Sequence, residues 1–477
     1  MEYEIVIGLE FHTQLSTNSK IFCGCSTKFG AEPNTQVCPV CMGLPGVLPV
    51  LNRKVVEDAI ITGLALGCEI ARYCKFARKN YFYPDLPKNY QISQYEDPLA
   101  RNGGLDITVN GVAKRIGITR VHMEEDAGKL VHPPSGAVSY VDFNRTGVPL
   151  MEIVTDPDIR TPEEAYATAL ALKAILQYLE VSDCNMEEGS LRCDANISIR
   201  PKGATALGVK TEVKNMNSFK AVQKALEYEA ERQIKVVSEG GRIVQETRLW
   251  DADRGVTRSM RSKEEAHDYR YFPDPDLIPL MIDDKWIEEV RARLPELPKE
   301  RKKRLQEQYE IPEYDAEVLT ASKSMADFFE QAAKLYPNAK TVANWMMGEF
   351  QRHLNVKGVE TRQSKIKPEQ LAELLRLVDD GTVSGNLAKS VFGEMFETGK
   401  SPAAIVREKG MVQITDESEL VAIVEKVIAE NPGPVADVLG GNERTFGFLM
   451  GQAMKASKGK GNPKLLNKLL RERLEKN

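Results

Sequence analysis

Four cysteines stand close together near the N-terminus: Cys23, Cys25, Cys38 and Cys41, spaced C-x-C-x12-C-x2-C with Pro39 inside the second pair. Two short-range pairs on turns, joined by a loop, let four thiolates converge tetrahedrally on one soft cation, and Zn²⁺ at ~2.3 Å from each sulfur suits such a set. Four thiolates leave no coordination position open, so the expected zinc is structural. Cys68, Cys74, Cys184 and Cys193 are scattered and read as small core residues.

A second set of residues is more dispersed. Glu10 and His12 lie two apart in an alternating segment, so both project from one face of a strand. His122, Glu124, Glu125 and Asp126 follow a predicted strand over Lys114–Val121, which places several acids at its end. Asp194 and Glu212 fall on the polar faces of two further strands. Carboxylates with an imidazole make a hard, oxygen-rich set suited to Mg²⁺, which takes few protein ligands and keeps water and phosphate in its shell. Lys79, Lys88, Arg145, Lys210 and Lys214 are cations able to meet a phosphate or a carboxylate. Taken singly, each of these charges fits a solvated strand face better than a ligand. The tyrosine-rich segment Lys79–Tyr95 (KNYFYPDLPKNYQISQY) is open in the same way: an irregular loop that stacks on a nucleotide, or a proline-stiffened surface loop.

The elements that must position these groups are legible as periodicity. In Tyr3–Leu15, Ile5, Ile7, Leu9 and Phe11 point one way, while Val6, Gly8, Glu10, His12 and Gln14 point the other. Leu191–Arg200 and Gly208–Asn215 alternate similarly, as antiparallel strands with one face on a core and the other open to water or a ligand. Helices are expected over Thr161–Leu179, with Thr161 as N-cap and Pro162 at the first turn, and over Ser218–Ser238. After the Pro-bounded stretch Leu294–Arg304 the pattern turns helical, over Ser324–Leu335, Ala343–Leu354, Pro368–Val378 and Gly385–Thr398. Short helices follow, broken at Asn431–Pro434 and Ser457–Pro463. The last of them carries a leucine stripe, and basic residues cluster nearby, including Lys455, Lys458, Lys460 and Lys464. That basic face suits an RNA backbone, though charge alone favours an ordinary solvated helix face.

Composition narrows the classes. The 477 residues, with 64 basic and 69 acidic side chains, carry a formal charge of -5, which excludes a histone-like polycation but not a local nucleic-acid patch. The longest apolar stretch, Ala59–Gly67, falls well short of the ~20 residues of a membrane helix, so no membrane association is expected. The first residues, MEYEIVIGLEF, read as a strand and not as a secretion signal. With sparse cysteines, a reducing cytoplasmic location follows. There is no P-loop and no G-x-S-x-G elbow, so any ATP use would be of another kind.

Several longer motifs, taken in order, resemble one family. IGLEFHTQL, the CGC and CPVC pairs, KNYFYPDLPKNYQISQY, VHMEEDAGKL, DFNRTGVPLMEIV, EGSLRCDANISIR and TEVKNMNSF are similar to stretches of the B subunit of the tRNA-dependent amidotransferase. The resemblance covers essentially the whole chain. It implies an α+β fold, with an N-terminal mixed antiparallel-sheet cradle likened to glutamine synthetase over residues 1–293, an all-helical domain over 294–406 and a small helical tail over 407–477. It also implies an ATP-dependent ligase activity. The side-chain carboxylate of glutamyl-tRNA(Gln), and of aspartyl-tRNA(Asn) in many cases, is phosphorylated and then amidated with ammonia. That ammonia comes from glutamine hydrolysed in a partner amidase A subunit, with a small C subunit completing a heterotrimer. Glu10, His12, Glu125, Asp194 and Glu212 would then be catalytic, with Glu10, His12, Glu125 and Glu212 holding Mg²⁺. Lys79, Lys88, Arg145, Lys210 and Lys214 would serve phosphate or the ammonia tunnel, and Lys455, Lys458, Lys460 and Lys464 the tRNA. The residues alone also allow a zinc-stabilised RNA-binding scaffold with no active site of its own.

Overall fold

The computed structural model describes residues 2–133, 136, 138–262, 269–410, 416–457 and 460–475. The chain divides into two compact units, residues 1–297 and 298–477.

The first unit is built on a mixed sheet of 12 strands among the described residues. Its strands begin with β1 (Tyr3–Gln14), β2 (Glu69–Ile70), β3 (Tyr73–Cys74), β4 (Ala77–Asn80), β5 (Tyr90–Ser93), β6 (Ala100–Val109) and β7 (Val112–Glu125). Two short strands, β8 (Lys129–Val131) and β9 (Tyr140–Asp142), pair with each other, as β3 does with a late strand. The series continues with β10 (Pro149–Thr155), β11 (Leu191–Pro201), β12 (Thr211–Lys214), β13 (Glu246–Asp251), β14 (Val256–Ser262), β15 (Phe272–Pro273) and β16 (Leu280–Met281). The main path runs β14-β13-β12-β11-β1-β10-β7-β5-β4-β15, antiparallel except for β12 with β13. On one face, Ile7, Leu9, Phe11, Met123, Met151, Ile153, Ala195 and Ile197 enter a continuous core shared with helices α1 (Arg53–Ala65), α2 (Pro162–Tyr178) and α3 (Phe219–Ser238). Thr161 caps α2 by accepting the amide of Glu164, with Pro162 in the first turn, and Ser218 caps α3 through Ala221. Each such cap stabilises its helix by about 1 kcal/mol.

The opposite face is left polar, and the register fixes its rows. His12 of β1 lies opposite Glu152 of β10 and Arg192 of β11, and Glu152 in turn lies opposite His122 of β7. One step along, Glu10 lies opposite Asp194. The next step sets Gly8 opposite Asn196, which faces Glu212 of β12.

Several local expectations change. The strand expected at Lys114–Val121 continues through Glu125, because β10 goes on pairing with it as far as Pro149. Lys79–Tyr95 is not wholly irregular: β4 and β5 pair at its two ends, and only 81–89 forms the loop. The helix expected at Ala343–Leu354 is composite, with a π turn at Met346–Phe350 between two α segments.

The last helix of the first unit is α4 (Asp284–Arg291). The second unit begins with α5 (Pro298–Tyr309), α6 (Glu313–Leu319), α7 (Lys323–Leu335), α8 (Ala339–Trp345), α9 (Gln351–Lys357), α10 (Pro368–Asp379), α11 (Gly385–Thr398) and α12 (Pro402–Lys409). These helices close one apolar core around Phe329, Phe350 and Phe392. A separate core joins α13 (Glu417–Glu430), α14 (Pro432–Leu439), α15 (Glu443–Ala456) and α16 (Pro463–Leu474), and takes in Leu466, Leu469, Leu470 and Leu474 of the leucine stripe. The break expected at Asn431–Pro434 shrinks to Asn431, since Pro432 opens α14 at the position where proline is best tolerated. Among the described residues no helix is long and apolar enough to cross a membrane.

Candidate active site

The polar face of the sheet gathers acids and bases from five strands. At its centre the ligand atoms of His12, Glu124 and Glu152 lie within 4.8 Å of one another, a group able to hold a metal ion. Glu152 is the hub: one carboxylate oxygen lies 3.2 Å from His12 Nε2 and 3.5 Å from His122 Nε2, and the other accepts from Arg120 Nη2 at 3.1 Å. Glu124 lies 3.8 Å from His12 Nε2 and accepts from Ser93 Oγ at 3.2 Å.

The charges of this group offset one another. Burial alone would raise the Glu152 carboxyl, but the imidazoles of His122 and His12 and the Arg120 guanidinium outweigh it and hold it well below the carboxylate range. Burial pulls His12 down, yet the hydrogen bond to Glu152 and the charge of Glu124 bring it above its ordinary value. The donor set of two carboxylates and an imidazole is of the kind a divalent cation takes.

One row away, Glu10 is pushed up by burial and by the charges of Glu152 and Glu212. Its Oε1 accepts from Asn196 Nδ2 at 2.8 Å. Lys214 bridges Asp194 at 2.7 Å and Glu212 at 3.0 Å. Despite burial, which opposes its charge, these two acids hold the Lys214 ammonium above the usual lysine range. So Glu10, His12, Asp194, Glu212 and Lys214 share one face, as the alternation predicts, while Glu10 and Glu212 stand beside the three-residue group and not within it.

Glu125 does not join them, and this corrects the expected ligand set. A strand's side chains alternate, so Glu124 and Glu125 leave β7 on opposite faces. Glu125 turns away from His12, forms a buried ion pair with Lys88 and accepts from the amide of Ile92 at 2.9 Å. Glu152 takes the place expected for it. The signal for Glu152 was present in Pro149–Thr155, where a glutamate stands between Met151 and Ile153 on the polar phase of a short alternating run.

The remaining cations disperse. Lys79 Nζ lies over the rings of Tyr269 at 4.8 Å and Tyr81 at 5.8 Å. Arg145 donates to the carbonyls of Ala127 and Gly128 at 2.9 and 2.6 Å and lies 3.7 Å from Asp126, which Arg192 also grips at 2.9 Å. Lys210 borders a cavity on the polar face. In the second unit Lys455 and Lys464 are exposed and Lys460 is half-buried, while Lys458 lies outside the described residues.

The four sulfurs of Cys23, Cys25, Cys38 and Cys41 also lie within 4.8 Å of one another. Cys41 is driven toward the thiolate by a hydrogen bond from Cys23, against burial, with help from the amide of Cys38 and the charge of Lys20. Lys20 is wholly buried, and its Nζ donates to Gln36 O at 2.7 Å and lies 3.6 Å from Cys41 Sγ. The cluster abuts the Lys88–Glu125 pair. A Cβ on Gly43, just past Cys41 and at φ +65°, would fall 2.2 Å from Lys88 Cγ. Between them lies a cavity of about 220 Å³ bordered by Lys20, Cys41, Arg78, Lys88, Tyr90 and Glu125.

Comparison with known proteins identifies the family. The GatB/GatE catalytic domain family matches residues 5–288, and the GatB domain family matches residues 327–474. The chain is 64% identical to the B subunit of the aspartyl/glutamyl-tRNA(Asn/Gln) amidotransferase of Carboxydothermus hydrogenoformans, over 100% of this chain and 99% of that protein. It is 63% identical to the protein of the same name from Caldanaerobacter subterraneus and 60% identical to that from Caldicellulosiruptor bescii, each over the full length of both chains. With a matching catalytic-domain family and relatives aligned end to end, the chain belongs to the family of aspartyl/glutamyl-tRNA(Asn/Gln) amidotransferase B subunits.

Proposed function

We propose that this chain is the carboxylate-activating subunit of a glutamine-dependent, tRNA-dependent amidotransferase, a ligase used in translation in the cytoplasm. The observation that carries this reading is the single polar sheet face that sets His12, Glu124 and Glu152 beside Glu10, Asp194, Glu212 and Lys214. A carboxylate is a poor electrophile. A side-chain oxygen of glutamyl- or aspartyl-tRNA attacks the γ-phosphorus of ATP, the bond to the ADP oxygen breaks, and an acyl phosphate results. Ammonia then attacks the acyl carbon, phosphate leaves with the bonding pair, and the amide forms. Such transfers depend on positioning and charge neutralisation more than on covalent help from the protein. His12, Glu124 and Glu152, with Glu10 and Glu212 alongside, would hold Mg²⁺, which supplies charge neutralisation at the phosphate oxygens. Lys214 and Lys210 would face phosphate. Lys79, Lys88, Arg145 and Glu125 would border the route by which ammonia arrives from an amidase A subunit, with a small C subunit completing the heterotrimer.

The direct test is amidation of misacylated glutamyl-tRNA and aspartyl-tRNA by the chain together with its amidase partner. ATP hydrolysis stimulated by misacylated tRNA supports an activating subunit; tRNA binding with no such stimulation leaves only a scaffold.

The tetrathiolate cluster would hold one structural Zn²⁺, with Lys20 offsetting the excess negative charge of four thiolates. Elemental analysis of the purified full-length chain is expected to find about one zinc per chain, and Lys20→Met to weaken zinc retention against a chelator by about 10–100-fold, with Lys20→Arg milder. No zinc in the native protein would refute the assignment.

Residues 407–477 would form a tail domain that grips tRNA through Lys455, Lys458, Lys460 and Lys464. Replacing Lys455, Lys460 and Lys464 together by Gln is expected to raise KM for tRNA by about 10-fold or more at moderate salt, with kcat little changed, and to flatten the salt dependence. An unchanged KM would remove the tail from tRNA binding.

A further inference from the structure

The row that carries His12 also carries a guanidinium. Arg192 of β11 lies opposite His12 in the register, on the same polar face. Among the described residues its side chain makes one hydrogen bond, from Nη2 to Asp126 Oδ2 at 2.9 Å. Asp126 is itself firmly held: 4% exposed at its side chain, it accepts from Gln14 Nε2 at 2.8 Å on the same oxygen and from the amide of Ala127 at 3.0 Å on the other. Burial would raise its carboxyl, but the charges of Arg192 and Arg145 and the Gln14 hydrogen bond hold it below its ordinary value. One buried acid between two guanidiniums leaves a surplus positive charge on this flank.

The neighbouring cations are committed to the acids of the site. Arg120 donates to Glu152, and Lys214 bridges Asp194 and Glu212. Arg192 differs, because its anchor stands outside that group while its own side chain is 40% exposed. Asp126 foremost, and then Glu124 and Asp194, raise the guanidinium above its ordinary value despite burial. A substrate carboxylate must approach a face that already carries Glu10, Glu124, Glu152, Asp194 and Glu212. Like charges repel, so its approach needs a fixed positive contact. A guanidinium offers planar N–H groups matched to a carboxylate, and one already tied to a buried acid loses little freedom on binding.

We propose that Arg192 is a catalytic residue that grips the side-chain carboxylate of the aminoacyl group on misacylated tRNA, holding one oxygen while the other attacks the γ-phosphorus. The held oxygen becomes the carbonyl oxygen of the acyl phosphate. When ammonia adds to the acyl carbon, that oxygen takes the negative charge, and the same guanidinium stabilises it. Phosphate then leaves with the bonding pair, and a proton passes to it from the nitrogen. The product amide is neutral and meets Arg192 through a weaker contact, which favours release. The proposal rests on the carboxylate-activating reading of the site and adds the residue that recognises the acceptor group.

The test compares tRNA(Gln) carrying glutamate with the same tRNA carrying glutamine, a pair that differs only in carboxylate against amide. Binding of each to the full-length chain with its amidase partner is measured with Mg²⁺ and a non-hydrolysable ATP analogue, so that no turnover occurs. The wild-type complex is expected to bind glutamyl-tRNA about tenfold or more tightly than glutaminyl-tRNA, and Arg192→Gln to bind both alike. In that variant kcat for amidation is expected to fall by about 10²-fold or more, while Kd for the analogue and for uncharged tRNA stays within about twofold. A preference that survives in Arg192→Gln, or none in wild type, overturns the proposal. Loss of analogue binding with the preference intact assigns the guanidinium to the polyphosphate and overturns it too, while the activating reading stands. If the wild-type complex amidates no misacylated tRNA, the activating reading itself falls. Thermal unfolding checks the variants. Should Arg192→Gln fail to fold, Arg192→Lys decides, since it keeps a charge beside Asp126 without the planar fork: a several-fold loss of the preference is expected, and an unchanged one overturns the proposal.

Discussion

Replacing Glu152 by Gln is expected to reduce ATP-dependent amidation by about 10²–10³-fold while leaving the partner's glutamine hydrolysis active. The size follows from the position of the side chain. Its two oxygens serve His12, His122 and Arg120, so the amide removes one of the two carboxylate charges of the group and leaves Glu124 alone against three basic side chains. Activation depends on cancelling the charge of the triphosphate, and a site left with one carboxylate is expected to hold a divalent ion less well. Binding of Mg-ATP to the isolated chain is the discriminating measurement. Glu152→Gln is expected to weaken it strongly, whereas Glu125→Gln, on the other face of β7, leaves it close to wild type. Equal losses in the two variants would restore Glu125 to the cation site and refute the separation of the two glutamates.

The second large effect concerns stability. Lys88 and Glu125 are 6% and 2% exposed at their side chains, and each is the other's charge partner. Removing one member of such a pair leaves the other buried without its counter-charge. Lys88→Met is expected to destabilise the N-terminal unit by about 3–5 kcal/mol, seen as an earlier urea transition in full-length protein. Replacing both, as Lys88→Met with Glu125→Leu, is expected to recover much of that loss, because two apolar side chains of similar volume need no counter-charge. A single-variant loss below about 1 kcal/mol would mean that the pair is solvated, as surface pairs are.

Much of this architecture is legible in the sequence for a definite reason. Tyr3–Gln14 and Leu191–Pro201 each bury one face, so alternation marks them clearly, and Thr161 and Ser218 announce their helices as caps. The tetrathiolate cluster is equally plain because its ligands are close in the chain. What resists reading is parity near a strand end. Ending the strand at Val121 leaves Glu124, Glu125 and Asp126 in a loop with no assigned side, and nothing then separates the two glutamates. Pairing with Pro149–Thr155, a contact between segments far apart in sequence, carries the strand onward and sends them opposite ways. Glu152 is hidden for a related reason, since its partners His12 and His122 lie 140 and 30 residues upstream and meet it only through register. The strands flanking the tyrosine-rich loop likewise exist through pairing and not through local preference.

The divergence of Glu124 and Glu125 has a topological corollary. One peptide bond separates a group facing His12 and Glu152 from a group facing the sulfur-rich side, so β7 is a partition a single backbone thick. Deletion of one residue upstream within the strand would shift its phase and deliver Glu125 to the imidazoles, whereas insertion of one would carry Glu124 to Lys88. Length, more than composition, is therefore what this stretch of chain can least tolerate changing.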